Sequence, residues 1–224
     1  MNAISSGPFT FEPGGALRVS GEASRRWEVR YGIEFFAERI LPDPLTRDEV
    51  VNLFSGDTAA FVERARNEHW PERVSLVDQG SGSEVAHFLS YSSCGMTPGL
   101  ADDRSRYWLL SANGLYSRAV TLTEFAKIAA EESAPANSWI AGMLDDDVLT
   151  ADPGQWRAPT SWEIRHVVGE GSFTRISGAA AATLVGVTPQ NFRKYTARDD
   201  ASTRQKMSFA MWHLLLQKLG VQKA

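Results

Sequence analysis

One segment, 177–198, constrains the fold of this chain more than any other part of its sequence. Ala182 falls where one helix has to come close to a second, and Gly186 lies four residues later, where a tight turn is needed. Glycine adopts the positive φ of such a turn without strain. Thr188 is a good N-cap and Pro189 suits the first helical position, so a second helix is predicted to begin there. Together these signals predict a helix-turn-helix.

The second helix of this motif has an apolar side and a polar side. Phe192 and Tyr195, three residues apart, form the apolar stripe, and Val187 is predicted to fill the angle between the two helices. The opposite face carries amide and cationic side chains, which can read base edges in a major groove. The residues predicted to contact DNA are Thr188, Gln190, Asn191, Arg193, Lys194 and Arg198. An ordinary helical hairpin on the protein surface is the alternative for this pattern.

Charge is distributed unevenly along the chain. Residues 157–224 contain six Arg and four Lys against four acidic residues, a net charge of +6, whereas the first 156 residues have a net charge of −10. A cationic module suits the phosphate backbone of double-stranded DNA. An acidic body would be repelled by DNA, so a different partner is predicted for it, unless its charge serves only solubility.

The N-terminal domain, residues 1–70, is predicted to be mainly helical. Apolar residues recur at helical spacing between Glu22 and Ile40, at Trp27, Tyr31, Phe35 and Phe36. A capping box at 46–49 predicts a further helix. A small hairpin with its turn at 13–15 is predicted ahead of these helices.

The middle domain, residues 71–147, is predicted to be α+β. Short segments rich in Val, Phe, Tyr, Trp and Leu are separated by clusters of Gly, Ser, Asn and Asp, as in an antiparallel sheet. The predicted strands are Arg73–Asp78, Glu84–Ser92, Arg106–Ser111 and Tyr116–Leu122. A capping box at 121–124 begins a helix, and 151–158, which contains Pro and Gly, is predicted to be a linker.

The C-terminal domain, residues 157–224, is predicted to be all-α, which makes the fold class of the whole chain α+β. A capping box at 160–163 precedes the helix-turn-helix, and Ser208 caps a last helix. That helix is apolar on several sides, more than packing in a small bundle requires, and this excess predicts a homodimer. The residues predicted to form the dimer contact are Met211, Trp212 and Leu215. Burial of the helix within one chain is the competing explanation.

Residues that could support catalysis or bind metal are scattered. Three adjacent carboxylates at 145–147 do not converge on a cation without further ligands. The histidines fall in different predicted elements, with no paired spacing for zinc: His69, His87, His166 and His213. We therefore predict a protein that is not an enzyme and has no cofactor and no metal site.

The cell compartment is predicted from cysteine content and hydropathy. A single cysteine, Cys94, cannot form an internal disulfide, which fits a reducing cytosol. The chain shows no secretory leader and no apolar run near 18 residues. A cytoplasmic protein with no membrane partner is predicted.

The C-terminal sequence resembles the helix-turn-helix modules of small phage and mobile-element regulators. The resemblance is carried by Gly-Val-Thr-Pro-Gln-Asn-Phe-Arg-Lys-Tyr (186–195) and Met-Ser-Phe-Ala-Met-Trp-His-Leu-Leu-Leu (207–216). The whole chain, including Met-Asn-Ala-Ile-Ser (1–5) and Arg-Val-Ser-Gly-Glu-Ala-Ser-Arg-Arg-Trp (18–27), further resembles anti-CRISPR proteins of the type I-F class that carry their own DNA-binding domain.

This resemblance implies a homodimer that binds and disables the type I-F CRISPR surveillance complex in a bacterial host. It also implies that the helix-turn-helix occupies the promoter of its own operon and represses it, with Thr188, Gln190, Asn191, Arg193 and Lys194 as DNA contacts. It implies no particular N-terminal residue as a contact with the complex. A mobile-element transcriptional regulator, whose N-terminal domains sense a ligand or build the dimer, is the alternative.

Overall fold

The N-terminal part of the chain is an antiparallel sheet, not a set of helices. The structure is a computed structural model that describes residues 2–69, 71–90, 106–111 and 117–223. Four consecutive strands pair in the order β1-β2-β3-β4. Their bounds are β1 Ile4–Ser6, β2 Phe9–Val19, β3 Glu22–Tyr31 and β4 Glu34–Pro42. The prediction of a helical N-terminal domain is therefore wrong.

A helix is predicted over 22–40 because apolar residues there recur four positions apart. Trp27 and Tyr31 share a face whether the segment is a helix or a strand, because four is close to one helical turn and is also an even number. Val29 lies between them and is fully buried, as Trp27 is, which is the alternation of a strand. The turn between β2 and β3 is made by Ser20 and Gly21, whose φ values are 53° and 88°. Positive φ at both central residues is the type I′ geometry that suits a hairpin.

The predicted hairpin turn at 13–15 is also absent, since β2 runs continuously through these residues. Its pairing register with β3 shifts between Pro13 and Ala16, which marks a β-bulge. Pro13 is accommodated because β1 pairs only with residues 9–11 of β2, so this part of β2 lies at the edge of the sheet.

The second sheet lies in the middle of the chain and has the strand order β6-β5-β7-β8. Its bounds are β5 Glu72–Asp78, β6 Glu84–Ser90, β7 Tyr107–Ser111 and β8 Ser117–Val120. The four strands match the predicted strand segments to within one residue where they begin, and the last predicted segment runs two residues too far, since Leu122 begins the next helix. Residues 91–92 and 116 of the predicted segments, and Cys94, fall outside the described residues. Helix α3 (Leu122–Glu132) packs on this sheet, with Phe125 against a small core that contains Phe88.

The remaining helices contribute side chains to the same core as the first sheet. Their bounds are α1 Arg47–Leu53, α2 Ser55–Glu68, a 3₁₀ helix Ser138–Met143, α4 Asp146–Leu149, α5 Ser161–Val167, α6 Gly178–Leu184, α7 Pro189–Thr196 and α8 Phe209–Lys218. The capping boxes that begin at Thr46, Thr121 and Thr160 all form. No helix among the described residues combines the length and the apolarity needed to cross a bilayer.

One hydrophobic core joins the N-terminal sheet to the C-terminal helices. Phe11 and Trp27 of the sheet belong to the same cluster of buried side chains as Phe192 and Trp212. The prediction treated 1–70 and 157–224 as separate domains, whereas their core is common. The middle sheet, with its own small core, is inserted between them in sequence.

Backbone contacts reinforce this junction. The Gly7 amide donates to the carbonyl of Glu170 at 2.8 Å, and the Trp162 indole donates to the carbonyl of Pro8 at 3.0 Å. Gly7 has a φ of 56°, and a Cβ atom on it would lie 2.0 Å from the carbonyl oxygen of Gly171. Only glycine allows the two segments to approach this closely.

The segment predicted as a linker, 151–158, is fixed to its surroundings. Trp156 donates its indole N–H to the carbonyl of Val148 at 3.2 Å. The Arg157 guanidinium pairs with three carboxylates, those of Asp145, Asp147 and Glu163, at 2.6–2.7 Å. Two of the three adjacent aspartates are thus held by an arginine.

Candidate nucleic-acid interface

Helices α6 and α7 flank the turn at Gly186, which has a φ of 72°. A Cβ atom on Gly186 would meet nothing within 4 Å, so the glycine is required for its backbone conformation and not for space. The Val187 amide donates to the carbonyl of Ala182 at 3.0 Å and closes the turn. Ala182 is fully buried, which allows α6 to lie close to its neighbours.

The start of α7 is capped as its sequence predicts. The Thr188 hydroxyl accepts from the Asn191 amide at 3.2 Å, and Pro189 occupies the first turn. Phe192 is buried, and its ring centroid lies 6.1 Å from that of half-buried Tyr195. Cap, turn and apolar stripe together fix which side of α7 faces outward.

The outward side of α7 is polar and accessible. Gln190, Asn191 and Arg193 are exposed and Lys194 is half-buried. Thr188 is also exposed, and because its oxygen accepts the capping bond, its hydroxyl proton is left to donate to a phosphate. The structure thus brings five of the six predicted DNA contacts together on one helix and its cap.

Arg198, the sixth, follows the end of α7. Its guanidinium lies 3.0 Å from the carboxylate of Asp200, and both side chains are largely exposed. An ion pair this exposed contributes at most about 1 kcal/mol and can be exchanged for a phosphate contact. Arg198 is therefore accessible to a ligand despite its partner.

Asp199 and Arg204, which follow α7 in the chain, together hold the start of α5, and we call this pair the clamp. The Asp199 carboxylate accepts from the Ser161 amide at 3.0 Å and from the Ser161 hydroxyl at 2.7 Å, which holds the start of α5. Arg204 pairs with Asp199 at 3.1 Å and donates to the carbonyl of Pro159 at 3.0 Å. Burial raises the pKa of Asp199, but the bonds from Ser161 and Arg204 outweigh it, so the net pKa is lowered. Because these partners lie within the chain, we assign Arg204 a structural role and do not count it as a DNA contact.

Arg165 on α5 is a further candidate contact for DNA. In the sequence it contributes to the positive charge of 157–224, but no specific role is predicted for it. Its Nε atom is buried and has no hydrogen-bond partner among the described residues. Burial lowers the pKa of Arg165, the charge of Asp199 opposes this, and the like charge of Arg198 lowers it further. The Arg165 side chain as a whole is only half-buried, so we consider it together with Arg198 as a candidate phosphate contact. Nothing in the sequence marked this position, because α5 comes beside Arg198 only in the folded chain.

The predicted dimer residues lie elsewhere. Trp212 and Leu215 are fully buried within one chain, and Met211 is half-buried against the same core. The Trp212 indole donates to the carbonyl of Val148 at 2.9 Å. Burial within one chain, the competing explanation, accounts for the apolar character of α8. The homodimer itself stays a prediction, and a two-fold contact cannot be made by the fully buried Trp212 and Leu215.

The histidines do not converge. His166 lies in the shared core, His213 packs on Phe209 with ring centroids 4.4 Å apart, and His69 and His87 lie at the end of α2 and on β6. The described residues contain no group of three or more His, Cys, Asp or Glu side chains arranged to hold a metal ion.

No protein-family model matches the chain, and no curated protein matches it either. The resemblance to type I-F anti-CRISPR proteins therefore stays a prediction.

Proposed function

We propose that this chain binds double-stranded DNA with α7 in the major groove and represses the promoter of its own operon. The observation that carries the proposal is the orientation of α7, whose buried Phe192 leaves Gln190, Asn191 and Arg193 facing outward. Amide side chains read adenine and arginine reads guanine through paired hydrogen bonds. Such a face suits sequence-specific recognition as well as attraction to phosphates.

Phosphate contacts are assigned to the residues around this face. Arg165 and Arg198 are close enough for each other's charge to be felt, and a phosphate between them would relieve that repulsion. These two arginines position the protein on DNA, and α7 reads the bases.

A homodimer on an inverted repeat belongs to the same proposal. Two-fold symmetry would place two copies of α7 about 34–36 Å apart, one helical turn of DNA. A footprint over a single half-site, from a protein that is monomeric by light scattering, would overturn this part.

The test of DNA binding is fluorescence anisotropy with the DNA upstream of the gene, at a fixed salt concentration. Arg193→Ala should weaken binding by about 5- to 150-fold if Arg193 reads a base. Lys218→Ala removes an exposed cation from α8 and is the matched control, for which no such loss is expected. Equal affinity of wild type and Arg193→Ala would overturn the assignment of α7.

A second function, inhibition of the type I-F surveillance complex, is proposed for the N-terminal sheet. Its outer face carries exposed apolar residues on paired strands, and Ile33 at the β3–β4 turn is 97% exposed. Ile33 and Phe35 lie together at the β3–β4 turn, and we call these two residues the outer patch, whereas Ile40 lies further along β4 and Leu17 and Val19 lie at the other end of the sheet. Arg30 crosses the same face between Glu12 and Glu28, at 3.0 Å from each. Exposed apolar surface with polar surroundings is typical of protein interaction sites.

This second function has its own test, the co-elution of full-length protein with purified surveillance complex. Ile33→Glu should prevent co-elution, because it places a charge in the outer patch without disturbing the core. Leu122→Glu, at an exposed apolar position on α3, is the matched control. Co-elution that survives Ile33→Glu and Phe35→Glu together would favour the alternative, a regulator whose N-terminal part senses a ligand.

A further inference from the structure

An open cavity of about 490 Å³ lies where the end of β3 meets α2, the 3₁₀ helix and α5. Three aromatic residues are among those that line it, Tyr31, Phe61 and Trp162, and we call them its inner wall. The Tyr31 ring centroid lies 4.8 Å from that of Phe61 and 5.2 Å from that of Trp162. Aromatic faces attract cations through their negative π surface.

The rim of the cavity is rich in carboxylates. Glu34, Glu68 and Asp145 all line it. Asp145 is paired with Arg157, whereas Glu68 has no ion-pair partner among the described residues. The charges of Glu34 and Asp145 reach the inner wall, since both add to the effect of burial in raising the pKa of Tyr31. The cavity is therefore lined by aromatic side chains together with three carboxylates and the guanidinium of Arg64.

Arg64 shows how this wall receives a cation. Its guanidinium carbon lies 5.3 Å from the centre of the Phe61 ring, and its Nη2 atom lies 3.7 Å from the Glu34 carboxylate. This ion pair is long, and it is well solvated because both charged side chains are 57% exposed. Such a pair is weak, and a better-placed cation can displace it.

We propose that this cavity binds an organic cation bearing a guanidinium or alkylammonium group. The cation takes the place of Arg64 on Phe61 and is held between Glu34 and Glu68. It comes either from a free small molecule or from an arginine or lysine side chain of a protein partner. The proposal does not depend on the function of α7 or of the outer patch.

The test is an NMR titration of the ¹⁵N-labelled full-length chain with agmatine, a small guanidinium compound, read at the indole N–H of Trp162. Saturable shifts are expected with agmatine and none with neutral butylurea. A capped peptide with one arginine among neutral residues forms a second arm. Tighter binding of the peptide assigns a partner's side chain, and equal binding assigns a free small molecule.

Three variants should change agmatine affinity in different directions if the proposal is correct. Glu68→Gln should weaken agmatine binding by about threefold or more, since it removes one carboxylate from the rim. Arg64→Gln should strengthen it by a similar factor, because the internal competitor is gone. Glu63→Gln, also exposed on α2 but not lining the cavity, should leave it unchanged.

Two results would overturn the proposal. One is the absence of a Trp162 shift at about 20 mM agmatine, a concentration that would fill even a millimolar site. The other is unchanged or weaker agmatine binding by Arg64→Gln, which would mean that Arg64 and agmatine do not compete for Phe61 and Glu34.

Discussion

The Tyr31 hydroxyl oxygen lies 2.6 Å from Nε2 of His166, in the core between the N-terminal sheet and α5. Nδ1 of His166 faces the carbonyl of Trp162 at 3.0 Å, so Nδ1 carries the ring proton and Nε2 accepts from Tyr31. Burial lowers the pKa of His166 to about 4, against the opposing influence of the bond to Trp162 and the charge of Glu163. The two segments are thus joined by a neutral histidine.

Acid should destabilise this junction. Unfolded His166 takes up a proton near pH 6.5, whereas folded His166 resists protonation down to about pH 4, so the unfolded chain binds more protons in this window. The free energy of unfolding should therefore fall by about 3 kcal/mol as the pH drops from 6.5 to 4. Urea titrations across this range measure the fall, and His166→Gln should flatten it. An equal pH dependence in wild type and variant would contradict the assignment.

Gly7→Ala should weaken the same junction by another route. The new methyl group would meet the Gly171 carbonyl at a backbone with positive φ, and we expect the free energy of unfolding to fall by about 2–5 kcal/mol. Gly15→Ala is the control, because a Cβ atom there meets nothing within 4 Å and its φ is not positive. Thermal unfolding of the two variants compares them directly. Similar melting temperatures would contradict the close approach.

Arg165→Gln should change how DNA binding depends on salt. Loss of one phosphate contact lowers the slope of log K against log[salt] by about one, with preference for operator over scrambled DNA retained. Arg204→Gln should instead lower thermal stability, because it breaks the clamp on Asp199. A salt slope unaffected by Arg165→Gln would exclude Arg165 from the interface.

The two proposed activities should separate by mutation. Combined Gln190→Ala and Lys194→Ala changes should abolish promoter binding and leave co-elution with the surveillance complex intact, since neither side chain lies in the outer patch. Expression from a foreign promoter removes the effect of lost autoregulation. Loss of protection against CRISPR interference, with normal expression and folding, would mean that the DNA-reading face also takes part in inhibition.

Local signals made the helix-turn-helix predictable and left the N-terminal sheet unpredicted. The Gly186 turn and the Thr188 cap depend on residues a few positions away, so the sequence shows them directly. The burial of Trp212 depends on packing with distant parts of the chain, which no local pattern reveals. For the same reason an apolar α8 could be read as a dimer surface, and the proximity of Arg165 to Arg198 could not be foreseen.

The shared core also determines how the protein is degraded by proteases. The sheet and α7 share one set of buried side chains, so they are expected to unfold together. A protease that cleaves only the unfolded chain would therefore destroy both at once. No fragment would survive that still covers a promoter without also carrying the outer patch. Degradation of the chain therefore removes α7 and the outer patch together, so the two proposed activities would decline at the same rate.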